Sequence, residues 1–164
     1  MIQLRKLSLN DGRNIYEMLQ RIGPCENEFK NTANGLSFDE FSLWLKEQDS
    51  WSGGENLPEG FVPQTVFWLF DDDIPVGMGK IRHCLTERSR SAGGNIGYAI
   101  DPLQRGKGYA THLLTALSLK ADELGIKEKL LSVEKYNPAS KRVVEKCGGI
   151  LVSENNERWY FELP

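Results

Sequence analysis

Gly93-Gly94-Asn95-Ile96-Gly97-Tyr98-Ala99-Ile100-Asp101-Pro102-Leu103-Gln104-Arg105-Gly106-Lys107-Gly108-Tyr109-Ala110 is the stretch from which the rest of the chain can be read. Residues 96–100 are a short apolar run rich in strand formers. Asp101-Pro102 stops it, because proline has no N–H to give to a ladder. A helix then opens over residues 105–110. Ala110, Leu113, Leu114, Leu117, Ala121 and Leu124 recur on one face at helical spacing, and Gly125 is placed to close it.

A strand, a glycine-rich turn and a helix start make a place for an anion. The first helical N–H groups have no internal partner and the dipole is positive there. Glycine lets the backbone come close to a phosphate. Spacing decides which phosphate ligand fits. A Walker loop needs Gly, four residues, Gly-Lys and then Ser or Thr. Here Lys107 is followed by Gly108, and Asp101 stands where the first glycine would, so that reading fails. The dinucleotide fingerprint needs a third glycine where Thr111 stands.

Arg105, Gly108 and Ala110, with Gly106, Lys107 and Tyr109 between them, resemble the acetyl-CoA pyrophosphate loop of the Gcn5-related N-acetyltransferase (GNAT) family. That pattern is Arg or Gln, two residues, Gly, one residue, then Gly or Ala. A Gly97-Tyr98-x-Ile100 strand ending in x-Pro leads into it. Asn137-Pro138-Ala139-Ser140 and then Glu145-Lys146-Cys147-Gly148 resemble the family's second cofactor segment. The plain alternative is a glycine-capped helix with a basic first turn.

The resemblance covers nearly the whole chain and implies its fold and chemistry. The fold is α/β: a mixed, mostly antiparallel central sheet flanked by about four helices, with a splayed strand pair holding the cofactor. Residues 1–164 form one domain. The reaction is direct transfer of an acetyl group from acetyl-CoA to a primary amine of a small molecule or peptide in a ternary complex. A non-catalytic acyl-CoA-binding or sensor module is the alternative.

The pantetheine would lie between residues 96–100 and 130–133, with Ala99 and Ile100 offering backbone groups near the thioester. Residues 105–110 would hold the pyrophosphate, with Arg105 and Lys107 adding charge. Asn137 and Ser140 would contact the pantetheine arm, though Asn137 is equally well read as a plain N-cap.

An alkylamine has a pKa of about 10.4, so it must lose a proton before attack, and a base is required. Glu134, just past the strand beside the acyl group, is the first candidate. His83, on the strand before the cofactor strand of residues 96–100, is the second, and His112 reads as structural. Many family members carry a tyrosine seven residues after the asparagine to protonate the departing thiolate. Here that position is Val144, which has no proton to give, and Tyr136 is the nearby hydroxyl.

Composition sets the bounds. A chain of 164 residues, 40% hydrophobic and 26% charged, suits one globular core. The net charge of −3 points away from nucleic acid. No apolar run is long enough to cross a bilayer, and the N-terminus lacks a secretory h-region. Cys25, Cys84 and Cys147 are isolated and odd in number, which fits the cytoplasm and neither a disulfide frame nor a zinc site. The oligomeric state stays open, a homodimer included.

In chain order, Ile2 and Leu4 mark a first strand, and Ile15, Met18, Leu19 and Ile22 a helix ended by Gly23-Pro24. Residues 25–36 read as a loop. Ser37-x-x-Glu40 is a capping box opening a second helix that fades near Ser50. Residues 51–63 read as a long loop, functional or mobile. Trp44, Trp51 and Phe61 read either as core and lid packing or as an apolar acceptor pocket. Residues 65–70 and 76–85 are strands joined by Asp71-Asp72-Asp73, a solvated turn rather than a metal site. Residues 86–94 read as a loop. Residues 130–133 are a buried strand. Asn137-Pro138 starts a last helix, and residues 150–152 and 158–163 form a terminal hairpin.

Overall fold

A computed structural model describes residues 1–26 and 28–164 of the chain. Strands β1 (Ile2–Lys6), β2 (Cys25–Glu26), β3 (Phe29–Lys30), β4 (Gln64–Asp71), β5 (Ile74–Arg82), β6 (Ile96–Ile100), β7 (Leu130–Glu134), β8 (Ile150–Glu154) and β9 (Arg158–Glu162) are interspersed with five helices. These are α1 (Arg13–Ile22), α2 (Phe38–Ser52), α3 (Glu87–Ser91), α4 (Tyr109–Glu123) and α5 (Pro138–Lys146). The strands form a sheet β1-β4-β5-β6, a sheet β7-β9-β8 and the small pair β2-β3. Every ladder among the described residues is antiparallel.

The larger sheet is apolar on both sides, as a strand buried on two faces requires. One face carries Phe67, Leu69, Ile81 and Ile96 against Leu113, Leu114 and Leu117 of α4. The other carries Val66, Trp68 and Met78 against Met18 and Leu19 of α1 and Phe41 and Trp44 of α2. Gly79 sets the first distance, because a Cβ there would stand 2.6 Å from Leu117 Cδ1. Glycine is thus what lets α4 settle onto β5.

Local signals act as their chemistry requires. Ser37 and Glu40 form a reciprocal capping box, a kind of contact worth about 1 kcal/mol. Gly125 closes α4 in a positive-φ conformation. Asn137 caps α5 with Pro138 in its first turn. Trp44 is a core residue whose indole N–H donates to Thr32 Oγ1 at 2.8 Å. Trp51 and Phe61 pack edge-to-face on each other, ring centroids 5.4 Å apart, with Phe61 half exposed.

Several boundaries differ from the sequence reading: the strand expected over 76–85 runs from Ile74 to Arg82, which leaves His83 outside it, and the strand expected over 150–152 continues to Glu154. Residues 25–36, read as a loop, contain the β2–β3 hairpin, too short to show periodicity; Asn27 lies outside the described residues. Residues 86–94 contain α3, started by a Thr86–Ser89 capping pair in which serine stands for the usual acid. Helix α2 continues to Ser52. The long helix starts at Tyr109 rather than at residue 105, because Arg105 is extended and Gly106 and Gly108 sit at φ 77° and 83°. No helix of the structure is long and apolar enough to cross a membrane.

Candidate active site

Among the described residues, strands β6 and β7 meet only at their starts. Asn95, 1% exposed, clasps them there. Its N–H donates to Leu130 O at 2.9 Å, its Oδ1 accepts from the Leu130 N–H at 2.8 Å, and its Nδ2 donates to Glu128 O at 2.8 Å. Beyond that clasp, among the described residues, β6 ladders only with β5, and β7 only with β9. The two strands belong to different sheets and leave a fork open toward Ile100 and Glu134.

The glycine-rich turn follows the open end of β6. Asp101 is fully buried; its Oδ2 accepts from Arg21 Nε and Nη2 at 2.9 and 2.7 Å, and its Oδ1 from the Leu103 N–H at 3.0 Å. Asp101 therefore both ends the strand and ties the turn to α1. After one 3₁₀ turn (Pro102–Gln104), Gly106 and Gly108 adopt φ 77° and 83°. Among the described residues, none of the N–H groups of residues 105–111 has a hydrogen-bond acceptor. Cβ atoms built at Gly106 or Gly108 would meet nothing within 4 Å. Consecutive free donors around open space at the positive end of a 15-residue helix are an arrangement that can accept an anion such as a phosphate.

The side chains of this turn face other tasks. Arg105 pairs with Glu26 of the β2–β3 hairpin and donates through Nε to Ile100 O at 3.3 Å. Lys107 Nζ reaches Gln104 Oε1 at 2.8 Å. Tyr109 donates to Asp71 Oδ2 at 2.6 Å, joining the helix start to the β4–β5 turn. Ala110 is half-buried against the α4-side core. On the opposite wall, Asn137 Oδ1 accepts from the Ser140 N–H at 3.2 Å, and Ser140 Oγ lies 2.8 Å from Tyr98 Oη. That contact joins the first turn of α5 to β6. Burial raises the Tyr98 phenol above its ordinary pKa.

The second rim of the fork carries Glu134. Its Oε1 accepts from Arg158 Nη2 at 3.1 Å, while its Oε2 is buried with no partner among the described residues. Arg158, only 5% exposed, also donates to Ser132 Oγ at 2.6 Å and pairs with Glu28 of the hairpin. The hairpin thus reaches both sides of the fork, through Glu26 to Arg105 and through Glu28 to Arg158. Phe29 lies against Gly97 in the middle of β6.

The other candidates stand elsewhere. His83 lies past the end of β5, bonded to Thr65 Oγ1 at 2.7 Å, with burial and then Lys6 lowering its pKa. Met78 is the β5 partner of Ala99, which leaves His83 about 16 Å down the strand at ~3.3 Å per residue. Tyr136 is 75% exposed and has no hydrogen-bond partner among the described residues. Val144 is fully buried. Sequence reasoning misses Asn95, Arg158 and Lys80. The usable signal is Lys80, a lone cation within Val76-Gly77-Met78-Gly79-Lys80-Ile81. Its ammonium donates to Lys30 O at 2.5 Å, and burial pushes its pKa down to about 8.

Residues 2–150 match the model of the acetyltransferase (GNAT) domain, and the chain belongs to that family. Among solved structures, the fold is similar to the Campylobacter jejuni N-acetyltransferase PseH in complex with acetyl coenzyme A, with 16% identity, 99% and 98% of the two chains covered and a TM-score of 0.65. It is also similar to yncA from Salmonella typhimurium, solved with its cofactor acetyl-CoA (14% identity, 99% and 92% covered, TM-score 0.64). A third is the spermidine/spermine N-acetyltransferase SpeG from Vibrio cholerae, in mutant form (20% identity, 99% and 95% covered, TM-score 0.61). No curated protein matches the sequence.

Proposed function

We propose that residues 1–164 act as one catalytic domain that transfers an acetyl group from acetyl-CoA to the primary amine of a small molecule or peptide. The observation that carries this is the run of unpartnered N–H groups over residues 105–111, around Gly106 and Gly108, at the open end of the β6–β7 fork. Those donors fit a pyrophosphate, and the strand edges of the fork fit the amides of a pantetheine arm. Two of the similar structures were solved with acetyl-CoA. The isolated cysteines suit a cytoplasmic protein.

In this reading the amine attacks the thioester carbonyl carbon, the C–N bond forms, the C–S bond breaks and coenzyme A leaves as its thiolate. Glu134 takes the proton of the attacking amine at Oε2, the oxygen that Arg158 leaves free. Arg158 orients Glu134 by holding the other oxygen. The Ala99 and Ile100 backbone flanks the carbonyl that gains charge. Tyr98, whose raised pKa keeps its proton on at neutral pH, returns a proton toward the thiolate; it bonds to α5, the helix on which many relatives carry the tyrosine replaced here by Val144. Thermal shift with acetyl-CoA followed by thiol release across an amine panel tests the reading. Stabilisation by acetyl-CoA and thiol release with at least one amine are expected; no stabilisation would refute it.

A further inference from the structure

The cations around the fork are not all balanced. Arg105 is matched by Glu26, and Arg158 by Glu28 and Glu134. Lys80, Arg82 and Lys30 have no carboxylate within ion-pair distance among the described residues. Lys80 pairs with Gly97 across the β5–β6 ladder and shares a strand face with Met78 and Arg82, away from α4. This is the face on which Phe29 of the hairpin lies, 5.0 Å from the Lys80 ammonium. One ammonium proton goes to Lys30 O; the other two have no protein acceptor among the described residues. Arg82 spends one donor on Gly94 O at 2.8 Å. The charges that act on Lys80 are those of Arg82 and Lys30, both positive.

A half-buried ammonium between two further cations, with free donors and no counter-ion, is a site missing an anion. Its position says whose anion. Lys80 stands beside Gly97 on one flank of β6, and Glu134 ends β7 on the other flank. The β2–β3 hairpin reaches both charges: Lys30 O accepts from Lys80, and Glu28 pairs with the Arg158 that holds Glu134. We propose that Lys80, with Arg82 and Lys30, forms an anion subsite for the acceptor, so that the substrate is an amine that also carries a carboxylate or phosphate group. The inference rests on the acetyltransferase reading and deepens it. The amine lies at Glu134, the anion at Lys80, and an amine without the anion leaves three cations unmatched.

The test compares L-lysine with cadaverine, its analogue lacking the carboxylate, and O-phosphoethanolamine with ethanolamine. The parent should prefer the anionic member of at least one pair by kcat/KM. Lys80→Gln should reduce that preference by about 10–100-fold, the worth of a hydrogen bond to a charged group, and Lys80→Arg should retain most of it. A parent indifferent to the anion in both pairs, or an unchanged preference in Lys80→Gln, overturns the proposal. A turnover-free measurement separates it from the acetyltransferase reading. With ¹⁵N-labelled lysine, glutarate or inorganic phosphate should raise the Lys80 titration midpoint from about 8 toward an ordinary lysine. A midpoint unmoved by both anions overturns the subsite whether or not any amine is acetylated, whereas failure with every amine alongside a shifted midpoint strikes only the acetyltransferase reading.

Discussion

Gly108→Glu separates the cradle from the fold. Gly108 sits at φ 83°, where a residue with a Cβ costs about 1–2 kcal/mol. For a domain of this size each kcal/mol lowers Tm by roughly 2–4 °C, so the variant should melt about 2–8 °C early and stay folded. No clash adds to that cost, since a Cβ would meet nothing within 4 Å. The new carboxylate occupies the space that the free N–H groups of residues 105–111 enclose and repels a phosphate there. Two lost hydrogen bonds to a charged oxygen, each worth about 1.5–3 kcal/mol, amount to more than about 100-fold in Kd. Calorimetry with acetyl-CoA reads this directly. Gly108→Ala is the control, carrying the same backbone strain and the same Tm loss with a smaller fall in affinity. A folded Gly108→Glu protein that binds acetyl-CoA like the parent would overturn the cradle and the family chemistry drawn from it.

Glu134→Gln should lower kcat/KM by about 10²–10⁴-fold, most at low pH where amine deprotonation is hardest; a parent-like pH profile would remove it as base. Tyr136→Phe should stay within about twofold of the parent, since Tyr136 is exposed and unpartnered, whereas Tyr98→Phe should lose at least about tenfold in kcat; the reverse order would exchange their roles. Gly79→Ala should cost about 1–3 kcal/mol by overpacking Leu117, seen as a lowered denaturant midpoint with unchanged slope. Lys80 titrates at about 8 in the folded protein and near 10.4 in the unfolded chain. Between those values the unfolded chain holds the extra proton, so stability should rise with pH across that window, and Lys80→Met should flatten the rise.

The frame was legible because its signals are local. Asp101-Pro102, the glycines of the turn, Ser37-x-x-Glu40 and Asn137-Pro138 each act within a few residues, so sequence order carries their geometry. The spacing of Leu113, Leu114 and Leu117 likewise reports one helix face. The site was legible only where it is backbone. Arg105 reads as a phosphate ligand, yet its guanidinium pairs with Glu26, 79 residues away. Glu134 is marked by its place at a strand end, but Arg158 and Glu28, which decide which of its oxygens is free, are joined to it only by tertiary folding. His83 lies past the end of β5, about 16 Å from the level of Ala99, because a place in the sequence beside β6 says nothing about position along it. The hairpin Cys25–Glu26 and Phe29–Lys30 is too brief for any period to register.

The clasp at Asn95 makes the fork a lever. Each arm is five residues long, or about 16 Å at ~3.3 Å per residue. With the fulcrum at one buried side chain, a rotation of about 5° there displaces the far ends by roughly 1.4 Å over that length. A misplacement of about 1 Å is enough to cost on the order of 100-fold in rate. Sub-ångström repacking around Asn95 is therefore magnified at Ile100 and Glu134. Asn95→Asp keeps the shape but removes the amide donor to Glu128 O, and so trims the alignment of both arms from their closed end.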